Sequence, residues 1–354
     1  MMEEVPAICP DVLKHFVQNM LLAAGVPQPA AGITSDSLVS ANLRGVDSHG
    51  VRLLPIYIAQ LRAGDLNVTT RGRIISENRA CLVYDAENGI GQVTAAECCH
   101  HALRLAQTYG IGLVVARHAN HFGAAAYWGA RIANHGAIAV VLCNASRTVA
   151  PWQGREPRMG TNPICIAVPG PWLLDMSTTA VAANKIFSAI DRNADSIPDG
   201  WAMDRSGRPT NDPREALQGS LLPLGGMVAG HKGSGLAAAV EILTAVLSGG
   251  QLAGEVGSMR RHGKPVGVSH TFLAIQVEHL MPLDQFRSRL DRFIADLKSS
   301  PPAQGYTEVL VAGEPEWRIE QTRRSQGIPL PDEVWNALKQ SAAELGVTVP
   351  SHCA

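Results

Sequence analysis

Gly110-Ile111-Gly112-Leu113-Val114-Val115 is the stretch on which the fold turns. It opens as the dinucleotide fingerprint G-x-G-x-x-G opens, but Val115 stands where the third glycine belongs. The first two glycines of that fingerprint admit a pyrophosphate to the backbone, and the third lets a helix pack on its strand. Here no helix follows, and the apolar run over residues 111–117 has the length of a strand. The phosphate-loop signature G-x-x-x-x-G-K-[ST] is missing as well. A standard Rossmann domain is therefore disfavoured, and any nucleotide chemistry must rest on another fold.

Around this stretch the chain changes character twice. Helical patterns over 94–109 and 123–134 stop at Gly110 and just before Gly136, where glycine commonly ends a helix. Apolar runs at 80–85, 137–143, 163–168 and 172–174 have strand length. Before them, residues 11–24, 29–43 and 51–63 carry apolar side chains at helical spacing. Further helices are predicted over 178–190 and 233–247. Residues 191–230, rich in Pro, Gly, Asp and Asn, read as a long ordered loop. The tail reads as a strand at 269–277, a helix at 283–297, a strand at 307–311 and helices at 316–324 and 331–345. A helical start and a helical end around a mixed core predict that the termini pack together. Residues 1–75 with 313–354 would form a helical domain, and 76–312 an inserted α/β domain.

Of the 354 residues, 46% are hydrophobic and 17% charged, and the net charge is -1. That balance excludes a broad phosphate-backbone footprint, and no interleaving of basic and aromatic residues points to single-stranded nucleic acid. No apolar run reaches the ~18 residues of a membrane span, and residues 1–10 are acidic without an apolar core, so a cytoplasmic protein is expected. The seven cysteines (Cys9, Cys81, Cys98, Cys99, Cys143, Cys165 and Cys353) are irregularly spaced and fit reduced thiols. Glu97-Cys98-Cys99-His100-His101 has donor atoms but sits in a helical pattern, where adjacent residues point apart, so no metal is expected.

The chemistry-bearing residues lie in turns. Asp47-Ser48-His49-Gly50 joins two helices and places an imidazole, a hydroxyl and a carboxylate together, with Arg52 two residues on. Reduction of a 2-oxo acid needs a proton donor for the carbonyl oxygen and a cation for the carboxylate; imidazole, with an unperturbed pKa of about 6.5, suits the first task. A helix cap would use the same residue types. Asn120-His121-Phe122-Gly123 and Gly230-His231-Lys232-Gly233-Ser234-Gly235 each open a helix, whose free N–H groups suit an anion. Asp175 follows an apolar run and could either cap the next helix or hydrogen-bond an imidazole. Lys185 is a surface residue or a second anion contact, and Gly160-Thr161-Asn162-Pro163 is a turn whose polar side chains could line a pocket.

Seven segments, in this order, resemble the malate/L-lactate dehydrogenase family that lacks a Rossmann fold: DSHGVRLLPIYIAQLRAGDLN from Asp47, NHFGAAAYWGARIANHG from Asn120, GTNPICIAVP from Gly160, LLDMSTTAVAANKI from Leu173, LLPLGG from Leu221, HKGSGLAAAVEILTAVLSG from His231 and GEPEWR from Gly313. The resemblance implies a mixed, largely antiparallel α/β (α+β) sheet carrying the nicotinamide cofactor, beside a helical domain built from both termini. It implies transfer of a hydride between NAD, or NADP, and C2 of a small 2-hydroxy or 2-oxo acid, in a homodimer. Ser48 and His49 would be proton relay and donor, with Asp175 completing the relay and His121 as the rival acid/base. Arg52, Thr161 and Lys185 would meet the substrate. The cofactor would lie on His121, Phe122, Gly123 and Ala124; on Asp175, Met176, Ser177 and Thr178; on His231 and Lys232; and on Gly313, Glu314 and Pro315. Arg147 is a candidate for a 2′-phosphate. Asn184, Ser234 and the Trp152-Gln153-Gly154 run depart from the family's usual residues, which leaves the substrate open. Reduction of a cyclic imino acid is the alternative within the class, and a non-catalytic ligand-binding relative is the alternative outside it.

Overall fold

The computed structural model describes residues 7–350. Strand β1 (Ala7–Ile8) leads into α1 (Pro10–Ala23), which starts with proline at its first position and Asp11 in its first turn. Both suit a helix N-terminus. Its buried residues Leu13, Phe16, Val17, Met20 and Leu21 keep the helical spacing. Helix α2 (Gln28–Leu43) packs on it. Two 3-10 turns, Asp47–His49 and Val51–Leu53, then lead into α3 (Leu54–Arg62).

The α/β part follows as β2 (Arg73–Asn78), β3 (Cys81–Asp85), α4 (Gly91–Tyr109), β4 (Ile111–Ala119), α5 (Ala125–Ala133), β5 (Ala137–Cys143), β6 (Ile164–Ala167) and β7 (Leu173–Met176). After α6 (Ala183–Asp191) come β8 (Ala202–Met203), β9 (Pro209–Thr210), α7 (Pro213–Gln218), β10 (Ser220–Leu221), α8 (Gly226–Glu241) and β11 (Val268–Gln276). The chain closes with α9 (Leu283–Lys298), α10 (Glu314–Gln326), β12 (Ile328–Pro329) and α11 (Asp332–Leu345).

The main sheet has seven strands in the order β2-β3-β4-β11-β5-β6-β7. Only β3 and β4 run parallel; every other pair is antiparallel. Helices α4 and α5 cover it, and Phe272 and Trp128 are fully buried in that core. A second core joins the two ends of the chain: Leu13, Phe16 and Met20 pack with Ile328, Trp335 and Leu338. The termini also pair as strands, Ala7 with Pro329 and Ile8 with Ile328. Burial of each such large side chain contributes about 1.5–3 kcal/mol.

Four local expectations are corrected. Residues 191–230 are not a plain loop: β8, β9 and β10 form a small sheet beside α7. Each of those strands is two residues long, too short to show a period of two in sequence. Residues 307–311 form no strand; just beyond them the Ala312 carbonyl accepts the Leu173 N–H of β7 at 3.1 Å. The exposed strand β2 escaped notice because its sequence, Arg-Ile-Ile-Ser-Glu-Asn, is open to solvent throughout and carries no buried face. Finally, α8 begins at Gly226, so the His231-Lys232 segment lies inside a helix. A kink at Ala229 (φ -120°, ψ 16°) starts a second limb at Gly230.

Candidate active site

The ends of β4, β5 and β7 and the starts of β6 and β11 meet at one end of the sheet. The Asp47–His49 turn reaches that end from the helical side. Between them lies a cleft of about 530 Å³, within the usual range for a small-molecule site. Its walls include Ser48, His49, Gly123, Ala124, Thr161, Asp175, Met176, Ser177, Gly313 and Pro315. The structure thus gathers at one site ten residues that the sequence scatters over 268 positions.

The turn that carries His49 is held from behind. Asp47 accepts from both terminal nitrogens of Arg323 on α10, at 2.6 and 3.0 Å, and from Asn42 Nδ2 at 2.6 Å. Asn42 Oδ1 in turn accepts the Val51 N–H at 2.8 Å. Gly50 is required there, because a Cβ would stand 2.1 Å from Asn42 Oδ1. The carboxylate of this turn therefore anchors the imidazole's backbone. Ser48 Oγ lies 2.9 Å from His49 Nδ1.

His49 and His121 face one another, with ring centroids 5.6 Å apart and planes 21° from parallel. The Tyr57 hydroxyl is 2.7 Å from His121 Nδ1, and Gln92 Nε2 donates to that hydroxyl at 3.2 Å. The Gly123 N–H also donates to His121 Nδ1, at 3.3 Å. A backbone N–H can only donate, so Nδ1 is an acceptor and the neutral His121 ring carries its proton on Nε2. Burial, then the neighbouring His49 and His270, push His121 down to about 3. Burial alone lowers His49. Both residues are partly exposed, and of the two His49 lines the cleft while His121 stands behind its wall with Tyr57 and Gln92. Burial also raises the Tyr57 phenol, which stays protonated as a donor.

Asp175 lies within β7 rather than after it and does not cap the helix that follows, since α6 begins at Ala183; its carboxylate meets the first turn of α5 instead. Its Oδ2 accepts the Ala126 N–H at 2.8 Å. No hydrogen bond from His49 to the Asp175 carboxylate is present among the described residues; the two stand on walls of the same cleft. Enclosure by protein raises Asp175 to about 6, with Ala126 and Arg44 opposing the shift. The carboxylate itself opens onto the cleft, so solvent moderates that rise and a bound ligand would strengthen it.

Arg52 does not line the cleft; the cation on its wall is Arg44, which the sequence reading missed. Arg44 Nη1 approaches Glu320 at 3.6 Å, and its buried Nε has no hydrogen-bond partner among the described residues. Its signal was its position, three residues before Asp47 at the end of α2. Tyr57 and Gln92 were also missed, since only the fold brings α3 and α4 to His121.

Other expected residues stand elsewhere. Phe122 is buried, its ring edge-on to His270 at 4.4 Å, and supports the wall from inside. Thr178 is buried and bonds to the Thr161 carbonyl. Glu314 is ion-paired with Lys298 and Arg318. Lys185 lies 6.0 Å from the Trp201 ring and does not line the cleft. His231 and Lys232 are exposed on α8, with the His231 ring 5.8 Å from that of Trp152. Ser234 Oγ accepts the Trp152 N–H at 3.1 Å, so these two unusual residues meet each other. The side chain of Asn184 lies outside the described residues. Cys98 and Cys99 are packed in the sheet core, where burial raises both thiols, Cys99 to about 12.

The cleft fits a dinucleotide. Gly123–Ala126 at the N-terminus of α5 line it, a positive helix end whose Ala126 N–H is already held by Asp175. The unpartnered Arg44 Nε supplies a further donor. Pro163, Leu173, Leu174 and Met176 offer apolar surface to flat rings.

Comparison with known proteins agrees in extent and fold. The signature of the family described as malate/L-lactate dehydrogenase matches residues 8–339. The chain is 37% identical to a malate dehydrogenase of Pyrococcus horikoshii over 344 residues, 95% of each sequence. The solved structure of malate dehydrogenase from that organism superposes with a TM-score of 0.89, covering 97% of this chain and 96% of that one. An L-sulfolactate dehydrogenase of Methanocaldococcus jannaschii is 36% identical over 97% of this chain and 98% of its own length. A ureidoglycolate dehydrogenase (NAD(+)) of Escherichia coli O157:H7 is 31% identical over 94% of this chain and 95% of its own length.

Proposed function

Since the chain belongs to the malate/L-lactate dehydrogenase family, we propose that His49 carries the proton in its reaction and that the cleft before His49 seats cofactor and substrate together. The chain is an oxidoreductase of 2-hydroxy acids and uses a nicotinamide cofactor. When bound, the nicotinamide exchanges a hydride with C2 of the substrate. The protein must then hold the substrate carboxylate and exchange a proton with the C2 oxygen.

The tautomer of His121 carries the division of labour. With two donors aimed at Nδ1, a protonated His121 would put an N–H against the Gly123 N–H. A neutral ring can instead donate from Nε2 to the C2 oxygen and polarise it. His49 faces no such opposition: Ser48 Oγ can either give or accept at its Nδ1. His49 therefore takes and returns the proton, and Ser48 relays it. Arg44 meets the carboxylate or a cofactor phosphate, and Asp175 across the cleft holds positive charge as it develops. Arg52, two residues beyond the anchored turn, is retained as a second carboxylate contact.

NAD is assigned as the cofactor, supported by the ureidoglycolate relative and by the absence of Arg147 from the cleft wall. A homodimer is supported by an exposed apolar stripe on α8 and the π-helical turn after it, including Met227, Val228, Ile242, Leu243, Val246 and Leu247. No helix among the described residues is long and apolar enough to cross a membrane. The free, mostly buried cysteines favour a reducing compartment, here the cytoplasm. The helical unit is taken as 1–75 with 313–354 and the α/β unit as 76–312, in keeping with the two separate cores.

The test is a spectrophotometric panel of malate, lactate, sulfolactate and ureidoglycolate with NAD, plus piperideine-2-carboxylate with NADH. Turnover of at least one hydroxy acid is expected. Turnover of the cyclic imine alone would overturn the assignment of the cleft.

A further inference from the structure

A second cavity, of about 650 Å³, opens at the same end of the sheet. It shares no lining residue with the cleft. Its charged lining is of one sign: Arg147, Arg261 and Lys264, with His262 beside them and no carboxylate. Hydroxyls of Thr148 and Ser258 join them, and the buried Thr148 Oγ1 has no hydrogen-bond partner among the described residues. Arg147, Arg261 and Lys264 make no ion pair among the described residues. Arg147 is aimed by one hydrogen bond, Nη2 to the Gly254 carbonyl at 2.7 Å.

The nearby acids are already engaged. Asp65 stands behind His262, accepting at 2.9 Å from its Nδ1 and at 2.8 Å from the Gly263 N–H. Glu255 turns back to the Leu252 N–H, and Glu241 takes the Ala253 N–H with Asn144 and Asn162. Three cations in one concave site repel one another unless an anion enters. The guanidinium groups suit paired oxygens and the ammonium adds a point charge. We propose that this cavity binds a small molecule carrying at least two acidic oxygen groups, of the carboxylate, sulfonate or phosphate class.

Two sources share that chemistry: the far acidic group of a dianionic substrate, and a free polyanion. The wall of the cavity is tied to the catalytic side in either case. Asp65 follows α3, which carries Tyr57, and its N–H bonds to the Gln60 carbonyl. Met259, in the same loop as His262, packs against both hydrophobic cores.

The experiment titrates inorganic pyrophosphate by calorimetry into protein holding saturating NADH, so that the cleft is filled. Wild type should bind. R147A/K264A should weaken binding tenfold or more, roughly the loss of one strong charge-assisted contact or greater. R287A/R289A, which removes two exposed arginines on α9, should bind as wild type does. K264Q alone, at the exposed rim, should show a smaller loss in the same direction and serves if the double variant fails to fold. No binding to wild type, or equal weakening by both double variants, would overturn the site. Malate separates the sources. Displacement of pyrophosphate at malate concentrations that sustain turnover assigns the cavity to the substrate; saturating malate without displacement assigns it to a free polyanion. Turnover is measured separately, so failure of the dehydrogenase reading is distinguishable from failure of this one.

Discussion

The Tyr57 hydroxyl stands 2.7 Å from Nδ1 of His121 and leaves the proton of the neutral ring on Nε2. This bond makes the two histidines unequal. Tyr57→Phe should lower kcat about tenfold, the scale of one lost hydrogen bond to a reacting group. It should also move the His121 titration upward from about 3, because one donor to the unprotonated Nδ1 is gone. Imidazole NMR across pH checks the second effect, and an unmoved resonance would refute the tautomer assignment.

His49→Ala should cut kcat by roughly 10²–10⁴ with little change in cofactor affinity, as loss of a general acid/base does. His121→Ala should cost less in kcat and more in kcat/KM, since polarisation and positioning are lost while proton exchange continues. Steady-state kinetics on both variants decides the order. A His49→Ala enzyme with near-normal turnover would transfer the role to His121.

Arg44→Lys is the sharper test of the cleft cation, because lysine keeps the charge but not the fork of donors. KM for substrate or cofactor should rise on the order of tenfold, with kcat changed less. A variant with both KM values unchanged would remove Arg44 from binding.

Enclosure raises the Asp175 pKa toward about 6 and solvent in the open cleft moderates the rise, so its carboxylate is lost as pH falls to about 6 or below. If the charged form is required, kcat/KM falls as pH drops through about 6. In Asp175→Asn that acidic limb should vanish and activity should be low but level. A limb that persists unchanged in the variant would assign it to another group.

His270 is fully buried on β11, where burial lowers it to about 3. Its folded pKa is below the unfolded value of about 6.5, so the unfolded chain binds the extra proton between those limits. Stability is complete above about 6.5 and is lost as pH falls toward 3. Between pH 7 and pH 5 the loss attributable to this residue is roughly 2 kcal/mol. His270→Leu should flatten that part of the Tm-against-pH curve, as thermal melts would show.

Much of this site was legible because its residues sit in short turns whose composition is unusual. The absent third glycine at Val115 ruled out the wrong fold, and the Ser48-His49 turn does reach the cleft. The misreadings share one cause: they concern where a side chain ends up when distant elements meet. Arg44 and Arg52 are equally basic in sequence, but only the direction in which α2 ends puts Arg44 on the wall. Asp175 looked like a cap because nothing local says that β7 continues through it to Met176. Tyr57 lies 64 positions from His121, and no local pattern joins them.

The pairing of Ala7–Ile8 with Ile328–Pro329 sets an order on biosynthesis. Leu13, Phe16 and Met20 leave the ribosome long before their partners Ile328, Trp335 and Leu338. At about 5–20 residues per second, that apolar face waits on the order of tens of seconds. The sheet between them can assemble meanwhile, because its strands are complete once Gln276 has emerged. Synthesis therefore delivers a finished sheet before the turn bearing His49 is clamped by Arg323, so the cleft acquires its helical-side wall after its sheet-side one.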